Sequence, residues 1–139
     1  MKILYLNHTA EVSGAERSLL GLLAALPGSV AARVAAPRGR LQASVEALDI
    51  PFTPILGTAG SLRVHPLHTP RAIAEMGIAA AQVRRAAARR QVAVVHANSI
   101  RAGVVLGLAR VPDAARVVHV RDCLPAGIVT SATMRLIRA

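Results

Sequence analysis

Five short aliphatic runs, most of them followed by a helical pattern, constrain this chain more than any other feature. They are Lys2–Asn7 (KILYLN), Ala32–Ala36 (ARVAA), Phe52–Leu56 (FTPIL), Val92–Ala97 (VAVVHA) and Arg116–Val120 (RVVHV). Runs this short and this apolar read as strands buried on both faces. Between most of them lie helical patterns. Ser18–Leu26 carries leucines at 19, 20, 22, 23 and 26 and stops at Pro27-Gly28, while Leu41–Leu48 ends before Pro51. Thr69–Arg90 opens on Thr69-Pro70, a cap with proline at the first helical position, and Ser99–Ala109 closes before Pro112. Strand alternating with helix predicts an α/β, Rossmann-like, doubly wound fold: a mostly parallel sheet, right-handed crossovers and helices on both faces. Tyr5 and Phe52 are the only Phe, Tyr or Trp residues, so Ala, Val and Leu must build the core. At 139 residues the chain suffices for one such domain, spanning 1–139, and not for two. Gly57–Leu67 reads as a mobile loop, and Met76 and Ile78 as packing residues of the long helix. Ile128–Ala139 reads as a helix that stops with no cap and no following strand, so the expected fold is incomplete.

The formal charge of +10 invites a nucleic-acid reading. Single-strand binders use aromatic platforms that this chain lacks, and no helix-turn-helix, zinc or RNP pattern is present. No nucleic-acid partner is expected. The lone Cys123 excludes an intrachain disulfide and fits a reducing compartment. MKILYLNH holds only four apolar residues in a row, which is not a signal peptide. The uncharged stretch Ser18–Ala32 is too short for a membrane span. A cytoplasmic location is the expectation. Arg84, Arg85, Arg89 and Arg90 form a broad basic surface near the end of the long helix. A solvated helix end favoured by the helix dipole accounts for them, and an anionic membrane surface is the sharper reading.

In a doubly wound sheet, ligands lie beyond the carboxyl ends of the strands, where strand order reverses. Polar residues gather at those ends: Asn7, His8 and Thr9 after the first run, His96, Asn98 and Ser99 at the fourth, Arg121 and Asp122 after the fifth. His119 precedes Arg121 by two positions and shares its face. Ser13-x-x-Glu16 is a capping box. Gly14 within it leaves helix amides unobstructed for phosphate or sugar oxygens. A nicotinamide site is poorly supported, because there is no G-x-G-x-x-G and Ala35–Pro37 lacks an acidic ribose ligand. No cofactor is expected. His65 and His68 have no acidic or cysteine company, so no metal is expected either, and Cys123 has no adjacent base.

KILYLNH, then SGAERSLLGLL, then VVHANS, then VVHVRD resembles the amino-terminal domain of retaining glycosyltransferases of family 4, which have the GT-B fold. The resemblance implies transfer of a sugar from a nucleotide-sugar donor to an acceptor hydroxyl, with this domain holding the acceptor. The donor-binding domain with its E-x7-E region is absent from these residues, so the chain alone is expected to be inactive. Ser13, Gly14, Ala15 and Glu16 would face the donor diphosphate or sugar; His8, Thr9, His96, Asn98 and Ser99 would line the acceptor side. His119, Arg121 and Asp122 are the catalytic candidates. There are departures: Ser13 replaces the first glycine of the family's GGxE pattern, and Arg121 stands where several members have histidine. Arg121 stays protonated and cannot act as a base. It can stabilise phosphate charge or pair with Asp122. A noncatalytic membrane-docking or scaffold subunit is the alternative reading. A free Rossmann-like nucleotide binder would bind tightly on its own.

Overall fold

The computed structural model describes residues 1–58, 69–121 and 128–138. Most of the expected loop, with His65, His68, Asp122 and Cys123, lies outside the described residues. In chain order the elements are β1 (Lys2–Leu6), α1 (Gly14–Ala24), β2 (Ala31–Ala36), α2 (Arg40–Glu46), β3 (Phe52–Pro54), α3 (Thr69–Arg90), β4 (Val94–Ala97), α4 (Ile100–Ala109), β5 (Ala115–Val118) and α5 (Ile128–Arg138). The strands form one sheet in the order β3-β2-β1-β4-β5, and every pairing is parallel. The chain starts in the middle, steps out to one edge, then crosses back to build the other side. That is the doubly wound Rossmann-like topology.

Alternation along each strand splits the core in two. Leu4, Leu6, Ala35, Val95 and Ala97 face α3 and α4, meeting Ala80, Val83, Ala87, Val105 and Leu106. Ile3, Tyr5, Val34 and Ala36 face α1 and α2, meeting Leu19, Leu23, Leu41 and Val45. The same face of edge strand β5 is open, with Val117 47% exposed.

Some local expectations shift. α1 begins at Gly14 rather than Ser18, because the capping box nucleates the helix before its leucine face starts. Met76 packs against the core, whereas Ile78 points to solvent, since two helical positions differ by roughly 200° around the axis. α5 packs on α4. Gly103 and Gly107 permit the approach: a Cβ at Gly103 would sit 3.3 Å from Ile137 Cδ1, and 2.7 Å from Val118 Cγ1 of β5, and one at Gly107 would collide with the Leu136 carbonyl oxygen. Among the described residues, no helix is long and apolar enough to cross a membrane.

Candidate functional site

The strand order reverses between β1 and β4. β1 leads to a helix on one face and β4 to a helix on the other, so the two chains part at their carboxyl ends. Backbone pairing continues one residue past each strand: Asn7 N donates to Ala35 O and Asn98 N to Leu6 O, both at 2.9 Å. The side chains of these asparagines then turn inward. Of the four buried polar residues described, three gather here: Asn7 (0% exposed), Glu16 (1%) and Asn98 (0%). Asn98 Nδ2 donates to Asn7 Oδ1 at 3.1 Å and to the Ala15 carbonyl at 3.3 Å. The Arg121 guanidinium donates to Asn98 Oδ1 at 3.0 Å. One buried amide thus ties β1, the first turn of α1 and the segment after β5 together.

The loop between β1 and α1 makes a detour to the start of α2. Leu41 N donates to Ala10 O at 2.9 Å. Gly39, at φ 154°, comes so close that a Cβ there would lie 2.6 Å from Ala10 Cβ. Only glycine fits both constraints. Thr9 stabilises the turn: its carbonyl accepts from Asn7 Nδ2 at 2.9 Å and its Oγ1 from Glu11 N at 3.2 Å.

The chain then returns to Ser13, where the capping box is formed. Ser13 N donates to Glu16 Oε2 at 3.1 Å, and the Ser13 hydroxyl donates to the same oxygen. Burial pushes the Glu16 carboxyl up, but the bonds from Ser13, from Asn7 and from its own amide outweigh that and leave it below its ordinary pKa. Glu16 is therefore an ionised, inward-facing group. Gly14, at the helix N-terminus, is exposed and a Cβ there would meet nothing within 4 Å. The space beside its amide is open.

Ser99 caps α4, accepting from Ala102 N at 3.2 Å, and its Oγ lies 2.9 Å from His8 Nδ1. A serine hydroxyl offers one donor and two acceptor positions, so it serves the helix amide and the His8 ring together. Next to it, half-buried His96 packs edge-on to Tyr5 (centroids 5.2 Å apart, 72°) and lies nearly parallel to exposed His119 (6.2 Å, 18°). Burial first, then the neighbouring His119 and Arg121, depress the His96 pKa. At neutral pH its ring is uncharged and able to accept a proton.

The side chains of Glu16 and Asn98, expected on the donor and acceptor sides, are buried and hydrogen-bonded within the fold, where they hold Ser13 and Arg121. Asn7, a strand-end residue absent from the predicted donor and acceptor sets, is their third partner. Its place immediately after an apolar run was the available signal. Arg121 is anchored by Asn98, and its expected partner Asp122 is outside the described residues. Arg84, Arg85, Arg89 and Arg90 are exposed on α3, away from this switch point. Among the described residues, no three His, Cys, Asp or Glu side chains could hold a metal together.

No protein-family model matches the chain, and neither does any curated protein. Solved structures do. Anabaena Alr3699/HepE in complex with UDP-glucose matches with a TM-score of 0.68 at 22% identity, over 99% of this chain and 34% of HepE. The fold is that of one half of a GT-B glycosyltransferase. The glycotransferase of kitacinnamycin matches with a TM-score of 0.63 at 9% identity, over 99% of this chain and 34% of its own. SsfS6, a glycosyltransferase of Streptomyces sp. SF2575, matches at 0.58 and 13%, over 99% of this chain and 44% of its own. The chain spans about a third of the length of HepE.

Proposed function

We propose that residues 1–139 form the acceptor-side domain of a family 4 retaining glycosyltransferase. Such an enzyme moves a sugar from a nucleotide-sugar donor to an acceptor hydroxyl. The observation that carries the reading is the switch point itself. There the open flank of Gly14, the Asn98-anchored Arg121 and the His8–Ser99 pair converge, in a fold shared with a protein solved with UDP-glucose.

When the bond from the sugar to the diphosphate breaks, negative charge grows on the leaving group. Donors fixed before the reaction stabilise that charge most effectively. The amides of Gly14 and Ala15 and the guanidinium of Arg121 supply them here. Arg121 holds its proton throughout, so its part is electrostatic. His8 and Ser99 orient the acceptor hydroxyl, an effect of positioning. Neutral His96 accepts a hydrogen bond from it. His119, stacked on His96, and Asp122 complete the set of candidates. The remaining donor contacts come from a lobe outside these residues, without which the chain does not turn over. A cytoplasmic setting, with the acceptor met at the inner membrane face, belongs to this reading.

Titration of the 15N-labelled chain with millimolar UDP-glucose tests it. Amide shifts are expected at residues 13–16 and 119–121, with no sugar released by the chain alone. Gly14→Val should abolish the first set and leave the thermal midpoint nearly unchanged, because nothing crowds that position. Identical titrations of the variant and the parent chain would refute the assignment.

A further inference from the structure

At the opposite edge of the sheet from β5, α3 and edge strand β3 enclose a cleft of about 220 Å3 lined by Arg85, Arg89 and Arg90 with Thr53 and Gln82. We propose that this cleft binds a phosphate-bearing ligand.

Its chemistry is one-sided. Among the described residues, no aspartate or glutamate lines it. The salt bridge found among the described residues joins Arg71 to Glu75, in the first half of α3. Gln82 Oε1 accepts from Leu56 N at 2.7 Å, which leaves its amide NH2 to donate. Thr53 Oγ1 accepts from Arg33 at 3.2 Å, which leaves its proton to donate. Among the described residues, three arginines and two neutral donors therefore line a space with no built-in counter-charge. Oxyanions of phosphate match such forks well. The volume is below the roughly 300–1,000 Å3 of pockets for drug-sized ligands, and suits a phosphoryl or diphosphoryl group.

The dipole of α3 favours cations in its last turn, which accounts for Arg89 and Arg90. It does not account for Arg33. That side chain rises from β2 in register with Leu4, on the face covered by α3, and also donates to Phe52 O at 3.4 Å. Arg33 is half-buried, and burial followed by the charge of Arg90 lowers its pKa. Arg85 and Arg89, four residues apart, repel on the helix as well. A fold that gathers four cations from two elements, with no acid among the described residues around them, gains stability when an anion arrives.

A free phosphate compound and a phospholipid headgroup share this chemistry, so the experiment has two arms. Isothermal titration uses inorganic phosphate and pyrophosphate; flotation uses vesicles of phosphatidylglycerol against phosphatidylcholine. Pyrophosphate is expected to bind, and Arg85→Gln/Arg89→Gln to weaken it at least tenfold. Arg110→Gln/Arg116→Gln removes the same charge elsewhere and should change it less than twofold. Arg33→Gln should also weaken it, with folding checked by the melting curve. Capture by phosphatidylglycerol vesicles alone, lost in the Arg85/Arg89 variant, assigns the headgroup. Binding of pyrophosphate without vesicles assigns a soluble phosphate ester. The proposal is overturned if neither probe binds, or if both double variants weaken binding equally, which would reflect only the net charge of +10. UDP-glucose carries a diphosphate as well, so the two sites are told apart by residue: amide shifts at 13–16 and 119–121 report on the switch point, and shifts at 82–90 report on the cleft.

Discussion

Replacing Asn98 by leucine tests whether the buried polar cluster holds the switch point together. Leucine has nearly the same shape, so packing survives and the loss is one of hydrogen bonds. The side chain makes three: to Asn7 Oδ1, to the Ala15 carbonyl and from Arg121. Arg121 is exposed and returns to water at little cost. Asn7 Oδ1 is left buried without this donor, a penalty of about 1–3 kcal/mol, and the lost bond to Ala15 adds about 0.5–1.5 kcal/mol. Added apolar burial offsets up to roughly 1 kcal/mol. The expected net loss is about 2 kcal/mol, or a fall of roughly 8 °C in the thermal midpoint for a domain of this size. Urea unfolding followed by circular dichroism measures it, with an unchanged slope confirming that the folded state is intact. Asn7→Leu/Asn98→Leu should cost about 1 kcal/mol less than the sum of the single changes, since both partners leave together. A loss below about 0.5 kcal/mol for Asn98→Leu, as for an ordinary surface change, would refute the reasoning.

Stability should also fall in acid in two stages. His96 has a depressed folded pKa, so the unfolded chain takes up the proton first, and stability drops as pH falls below the ordinary value of 6.5; His96→Gln removes that stage. Glu16 is likewise held below its ordinary 4.5, so its contribution is present above that pH and is lost as pH falls through the folded pKa; in Glu16→Gln the second stage should flatten in pH-dependent melting curves. Gly107→Ala forces a methyl against the Leu136 carbonyl and should cost about 1–3 kcal/mol, with faster hydrogen exchange at residues 131–137 and little change at β1.

Much of this architecture was legible because its causes are local. The aliphatic runs give the strands, proline and glycine end the helices, and Ser13 to Glu16 fixes the start of α1, all within a few residues of the cause. Strand-end positions for Asn7, His8, Asn98 and Ser99 followed from the same pattern. Inward turning of Asn98 and Glu16 did not, because it depends on a partner 91 residues away for Asn98 and on the register of β1 against β4. For the same reason no local pattern joins Arg33 to Arg90, or Gly39 to Ala10, or Gly107 to Leu136. By itself the sequence determined which segments are strands and helices, that the strands run parallel, and which polar residues reach the carboxyl edge. Tertiary structure alone decided which of those residues stay exposed and which are buried holding their neighbours in place. Periodicity acts over a turn of helix or a step of strand, whereas burial and hydrogen-bond partners are set only when distant segments are packed against each other.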